Sequence, residues 1–94
     1  MTSHELVNQV ALVTGASSGL GVDFARQLAA RGASLILVAR REDQLRVVAA
    51  EIEKTYAVST QALALDLAAP DAPQVLYDQL QQQGIHVDVL VNNA

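Results

Sequence analysis

Cysteine is absent from the 94 residues. That excludes disulfides, thiolate catalysis and cysteine-based metal sites. Positive charge is scarce: six Lys and Arg stand against ten Asp and Glu, for a formal net charge of −4. Broad electrostatic binding to nucleic acid or to an anionic membrane is therefore not expected. No apolar run approaches the length of a membrane span. The opening Met1-Thr2-Ser3-His4-Glu5 has neither the basic flank nor the apolar core of a signal peptide, so a cytoplasmic location is the expectation. Gly-Lys-Ser/Thr does not occur, which removes a P-loop NTPase. Aromatics make up only 3% of the chain, while 51% is apolar. That balance suits a sheet of Val, Leu and Ile covered by alanine-rich helices.

Ninety-four residues suggest one small domain with a modest core. Residues 1–8 read as a loose lead-in, in which His4 is a solvated tail residue. Val10-Ala11-Leu12-Val13 lies in a first strand over about 9–14. A helix over about 19–31 follows, with Phe24, Ala25, Leu28 and Ala29 on one face and Gly32 as its cap. Leu35-Ile36-Leu37-Val38 is an unbroken apolar run, which fits a strand over 34–39 covered on both faces. The second helix opens at Arg40-Arg41-Glu42-Asp43, its acids complementing the dipole. Leu45, Val48, Ala49, Ile52 and Tyr56 form its buried stripe. A third strand covers about 60–66. Pro70-Asp71-Ala72-Pro73 starts a third helix over about 72–83, with Leu76 and Leu80 inward, Tyr77 packed or on the surface, and Gly84 as cap. A fourth strand covers 87–92, after a loop that carries His86. The alternation β-α-β-α-β-α-β predicts one parallel sheet with helices on both faces. The fold class is α/β, a doubly wound Rossmann-type sheet in the order 3-2-1-4. Its switch point puts residues 14–21 and 92–94 at the same carboxyl edge.

Residues 14–21, Thr-Gly-Ala-Ser-Ser-Gly-Leu-Gly, stand between the first strand and the first helix. A pyrophosphate must approach backbone N–H groups at a helix N-terminus, and side chains larger than hydrogen would hold it off. Gly15 can take the tight turn; Gly19 and Gly21 can admit the phosphate and the helix. The spacing is G-x-x-x-G-x-G, not the G-x-G-x-x-G of the common dinucleotide fingerprint. A glycine-rich turn that binds nothing is the plainer alternative. The octapeptide resembles the cofactor loop of the short-chain dehydrogenase/reductase family, and the resemblance runs from Val10 to Ala94.

That resemblance implies an NADP-dependent oxidoreductase transferring hydride between a carbonyl and an alcohol, with a dinucleotide as its partner. Gly15, Ser17, Ser18, Gly19, Leu20 and Gly21 are then cofactor-binding residues. In NAD-preferring members an acid at the end of the second strand binds the adenosine ribose. Ala39 stands there instead. Arg40 can pair with a 2′-phosphate, and Arg41 adds to the field. NADP is thus expected over NAD. The alternative for both arginines is a solvated helix start, where cations oppose the dipole. Asp66-Leu67 resembles the family's adenine-binding pair; capping the turn into Ala68-Ala69-Pro70 is the other role open to Asp66. Asp88-Val89-Leu90-Val91-Asn92-Asn93-Ala94 resembles the family's Asn-Asn-Ala-Gly motif. It implies that one asparagine ties neighbouring strands together and that Asn93 and Ala94 pass near the cofactor ribose. The run Val-Ala-Arg-Arg-Glu-Asp resembles that of broad-specificity reductases of steroids or acyl chains.

The family's catalytic Tyr-x-x-x-Lys does not occur. The one lysine is Lys54, with Ala50 four residues before it. No catalytic residue and no metal ligand is assigned. The chain is expected to be the N-terminal cofactor-binding part of a longer enzyme, which would take a small carbonyl or alcohol substrate and form a homo-oligomer. A non-catalytic NADP-binding or scaffold module is the alternative. Methyltransferases share a glycine-rich turn, but Arg40 in place of a ribose-binding acid speaks against one. The fourth strand, with Val89, Leu90 and Val91 in a row, is expected to be an open edge. The chain alone should therefore self-associate or stay partly molten.

Overall fold

The structure is a computed structural model that describes residues 5–17 and 19–93. In chain order the elements are β1 (Val10–Thr14), α1 (Gly19–Ala30), β2 (Ser34–Ala39), α2 (Glu42–Tyr56), β3 (Thr60–Ala64), α3 (Ala72–Gln82) and β4 (Val89–Val91). The four strands form one parallel sheet in the order β3-β2-β1-β4, as the alternation of elements predicts. The registers Leu12↔Ile36 and Leu12↔Leu90 place β1 between β2 and β4.

Side chains alternate across the sheet, and each face has its own cover. Ala11, Val13, Leu35, Leu37 and Ala39 point to one side and bury against α1 and α2, with Leu45, Ala49 and Ile52 from α2. Leu12, Ile36 and Val38 point to the other, where Leu76 and Leu80 of α3 pack on them. The central strands are thus apolar on both faces, as an unbroken run requires.

α1 presents Gly21, Ala25 and Ala29 to the sheet, a row of small side chains at every fourth position. Small side chains let a helix lie close. The contact strip is correspondingly narrow, and Phe24 stands at its rim, 37% exposed; the expectation that Phe24 shares the buried face is corrected here. Gly32 and Gly84 follow α1 and α3 with positive φ, and α2 ends on Ala57 in the left-handed region without a glycine. Tyr56 packs against the core and Tyr77 lies on the surface.

The outer strands are shorter than expected. β3 stops at Ala64, the partner of Ala39, which is the last residue of β2. β4 holds only three residues. Residues 5–8 are less loose than expected: they form a turn in which the Leu6 N–H donates to the Arg31 carbonyl at 2.9 Å, and Leu6 packs on the core. His4 and the rest of residues 1–4 lie outside the described residues.

Candidate functional site

The parallel strands all run towards the same edge, and their exits build a cleft of about 500 Å³. β1 leads into Gly15 and Ser17; β2 ends in Ala39, Arg40 and Arg41. Leu65, Asp66, Leu67 and Ala68 come from the exit of β3, and Asn93 from the exit of β4. Backbone hydrogen bonds hold these loops to one another. The Ala16 N–H donates to the Val38 carbonyl at 3.2 Å, and the Leu65 N–H to the Ala39 carbonyl at 2.8 Å. The floor at Ala39 is buried and carries no acid.

Beneath the glycine loop the packing is tight. Gly15 has φ +63, and a Cβ there would lie 2.8 Å from the Asn93 carbonyl oxygen. A Cβ on Gly21 would lie 1.9 Å from the Gly15 carbonyl oxygen. So Gly21 is required by the seating of α1 under the loop. Gly19, with φ +60, is different, because a Cβ there would meet nothing within 4 Å. The start of α1 is thus open, as an approaching anion needs. Of the residues expected to bind a nucleotide, Gly15, Ser17, Arg40, Arg41, Asp66, Leu67 and Asn93 line the cleft, whereas Gly19, Leu20 and Gly21 do not. Leu20 is exposed on the first turn of α1. Ser18 and Ala94 lie outside the described residues.

The charges at the cleft mouth are uneven. Arg26, Arg31 and Arg46 are in ion pairs with Glu51, Glu5 and Glu42. Among the described residues no hydrogen bond or ion pair engages the side chain of Arg40 or Arg41. Two free guanidinium groups therefore face a cleft in a chain whose net charge is −4. Asp66 is the one acid in its lining, and its Oδ1 accepts from the Ala68 N–H at 2.9 Å. The turn-capping role is realised, and Asp66 remains in the cleft wall while it caps.

Sequence reasoning passed over two features. Thr14 is buried, and its Oγ1 joins β1 to the end of β4. It donates to Asn92 Oδ1 at 3.1 Å and accepts from the Asn93 N–H at 2.9 Å. This fixes Asn93 against Gly15 and is the strand-tying role that the asparagine motif implies. Gln44 also lines the cleft. No signal in the sequence marks it, since a glutamine in the first turn of a helix is ordinary.

A dinucleotide fits these residues by two observations: an open helix start at Gly19, and two arginines without partners among the described residues beside the uncharged Ala39. Among the described residues no group of three or more potential ligands could hold a metal ion. No helix among them is long and apolar enough to cross a membrane.

Comparison with known proteins extends the picture. The chain is 46% identical over 86 residues to a very-long-chain 3-oxoacyl-CoA reductase of Meyerozyma guilliermondii, covering 89% of this chain and 25% of that protein. L-sorbose reductase from Gluconobacter frateurii, solved with NADPH and L-sorbose, superposes with a TM-score of 0.89 at 32% identity, over 99% of this chain and 35% of that one. A metagenomic short-chain oxidoreductase in complex with NADP superposes with a TM-score of 0.84 at 42% identity, over 95% of this chain and 40% of that one. The chain spans about a quarter of the length of the curated relatives it matches. The family model for short chain dehydrogenases matches residues 9–94, and the chain belongs to that family.

Proposed function

We propose that residues 1–94 are the cofactor-binding part of an NADP-dependent oxidoreductase that transfers hydride between a carbonyl and an alcohol. The observation that carries this reading is the pair of unpartnered arginines, Arg40 and Arg41, over the buried, uncharged Ala39. A 2′-phosphate is a dianion that an acid at the end of β2 would repel. Here Ala39 stands at that position instead of an acid, and two guanidinium groups can hold the phosphate by charge-assisted hydrogen bonds. The structural neighbours with NADPH and with NADP support the same reading.

The bound nicotinamide supplies the hydride chemistry. The chain's own residues bind and orient. Gly15 and the open start of α1 receive the pyrophosphate, with Ser17 and Ser18 as hydroxyl donors. Leu20 and Gly21 belong to the same first turn. Asp66 and Leu67 flank the adenine. Asn93, fixed by Thr14, and Ala94 border the ribose. The tyrosine acid and its lysine are not in these 94 residues, so substrate activation belongs to residues outside them. The very-long-chain 3-oxoacyl-CoA reductases among the relatives make a 3-oxoacyl thioester the first substrate class to try. The missing Tyr-x-x-x-Lys favours a second reading for the 94 residues by themselves, a binding module without catalysis.

The test is calorimetric titration of NADP and NAD into the complete enzyme, as wild type and as Arg40→Ala. A charge-assisted hydrogen bond is worth about 1.5–3 kcal/mol. Arg40→Ala should therefore weaken NADP roughly 10- to 150-fold and leave NAD unchanged. Equal weakening of both would mean that Arg40 acts through stability, and the reading would fail.

A further inference from the structure

The first turn of α2 sorts its side chains by charge. It contains Glu42, Asp43 and Gln44, directly after Arg40 and Arg41. Two of the three are acids, and an acid beside the arginines would compete with any bound anion. Neither acid lines the cleft; the neutral Gln44 does. Arg41 is the extended residue just before the helix, and within the first turn the side chains at successive positions point about 100° apart, so that Gln44 turns to the cleft while Glu42 and Asp43 do not. Glu42 is also restrained: Arg46 Nε and Nη2 both donate to its Oε1, at 3.0 and 2.8 Å. Among the described residues the Gln44 carboxamide has no hydrogen-bond partner, although a glutamine at the third helical position often reaches back to cap its own helix. The side chain of the cap residue, Arg41, makes no capping hydrogen bond.

We propose that Gln44 is a specificity-determining residue of the cleft, its carboxamide N–H donating to the same phosphate that Arg40 and Arg41 hold. The proposal rests on the NADP reading. It assigns to Gln44 a role that neither glycine loop nor arginine pair can supply, namely keeping the third side of the phosphate site uncharged and donating. A glutamate at this position is nearly isosteric and puts a carboxylate where the amide stood.

The test uses the complete enzyme of the proposed function and reads binding directly. NADP and NAD are titrated by calorimetry into the wild type, Gln44→Glu, Gln44→Ala and Arg40→Ala, with circular dichroism melts confirming that each variant folds. Losing a donor to a charged phosphate should weaken NADP about 10-fold or more in Gln44→Ala. Gln44→Glu adds repulsion and should weaken it further than Gln44→Ala does. NAD affinity should stay within about twofold in both. If the wild type prefers NADP and Arg40→Ala loses that preference, but Gln44→Glu keeps it within about twofold, the role of Gln44 is refuted and the cofactor reading stands. If the wild type shows no preference for NADP, the cofactor reading falls and takes this inference with it.

Discussion

Gly19 and Gly21 stand two positions apart in the same turn, yet they answer to different constraints. Gly21 has no room, because an added Cβ would sit 1.9 Å from the backbone oxygen of Gly15. That oxygen cannot yield without moving β1's exit, so Gly21→Ala must push α1 off the sheet. Overpacking of this kind costs about 1–3 kcal/mol or more; we expect the upper end, about 3 kcal/mol, by urea denaturation. Gly19 has room but a left-handed backbone. Gly19→Ala should cost only about 1–2 kcal/mol, and equal losses for the two variants would contradict the packing argument. Thr14 shows a third kind of demand. Its hydroxyl serves Asn92 and Asn93 at once. In Thr14→Val the Asn93 N–H loses its partner beside a buried site, at a cost of about 1–3 kcal/mol. Thr14→Ser should recover most of it. Faster hydrogen exchange at the Asn93 amide in the valine variant alone would identify this contact as the source.

Elements were legible where chemistry repeats along them. The run Leu35–Val38 announced a strand buried on both faces, and all four side chains are buried. The stripe Leu45, Val48, Ala49, Ile52 and Tyr56 announced the inner face of α2; Leu45, Ala49 and Ile52 are buried, and Val48 and Tyr56 pack half-buried beside them. The parallel sheet followed from alternation and handedness, and its strand order from analogy with doubly wound folds, rather than from any residue. The ends were less legible, for a physical reason. An outer strand has a partner on one side only, so its length is set by that partner and by local side chains. Asp88 was expected within the fourth strand. Instead its Oδ2 accepts from the Val10 N–H at 2.9 Å, and its own N–H donates to the Val10 carbonyl at 2.8 Å. It clamps the start of β1 from just outside β4. The cleft was legible through its glycines and arginines, whose types are unusual for their places. Gln44 was not, since a glutamine on a helix start is ordinary until the fold turns it into a cleft.

At the scale of the whole molecule the two faces of the sheet are unequal. α1 and α2 cover one face and bury a broad cluster against it. α3 alone covers the other, where the buried cluster is Leu12, Ile36 and Val38. Beside α3 an apolar hollow of about 610 Å³ runs along Leu76, Leu80, Val87 and Leu90. Leu90 is 65% exposed in the middle of β4, and Tyr77 is 58% exposed nearby. β4 pairs with β1, and among the described residues no strand pairs with its other side. An unpaired backbone edge beside exposed apolar side chains favours association. Fully burying a leucine is worth about 1.5–3 kcal/mol, and a symmetric contact would bury it twice. We therefore expect the 94-residue chain by itself to self-associate increasingly with concentration, as seen by sedimentation velocity. Leu90→Lys should shift it towards monomer with little loss of fold, because the side chain it replaces is mostly in water. A wild-type chain that stays monomeric while binding NADP would refute the open-edge argument and would favour the stand-alone binding module over the enzyme part.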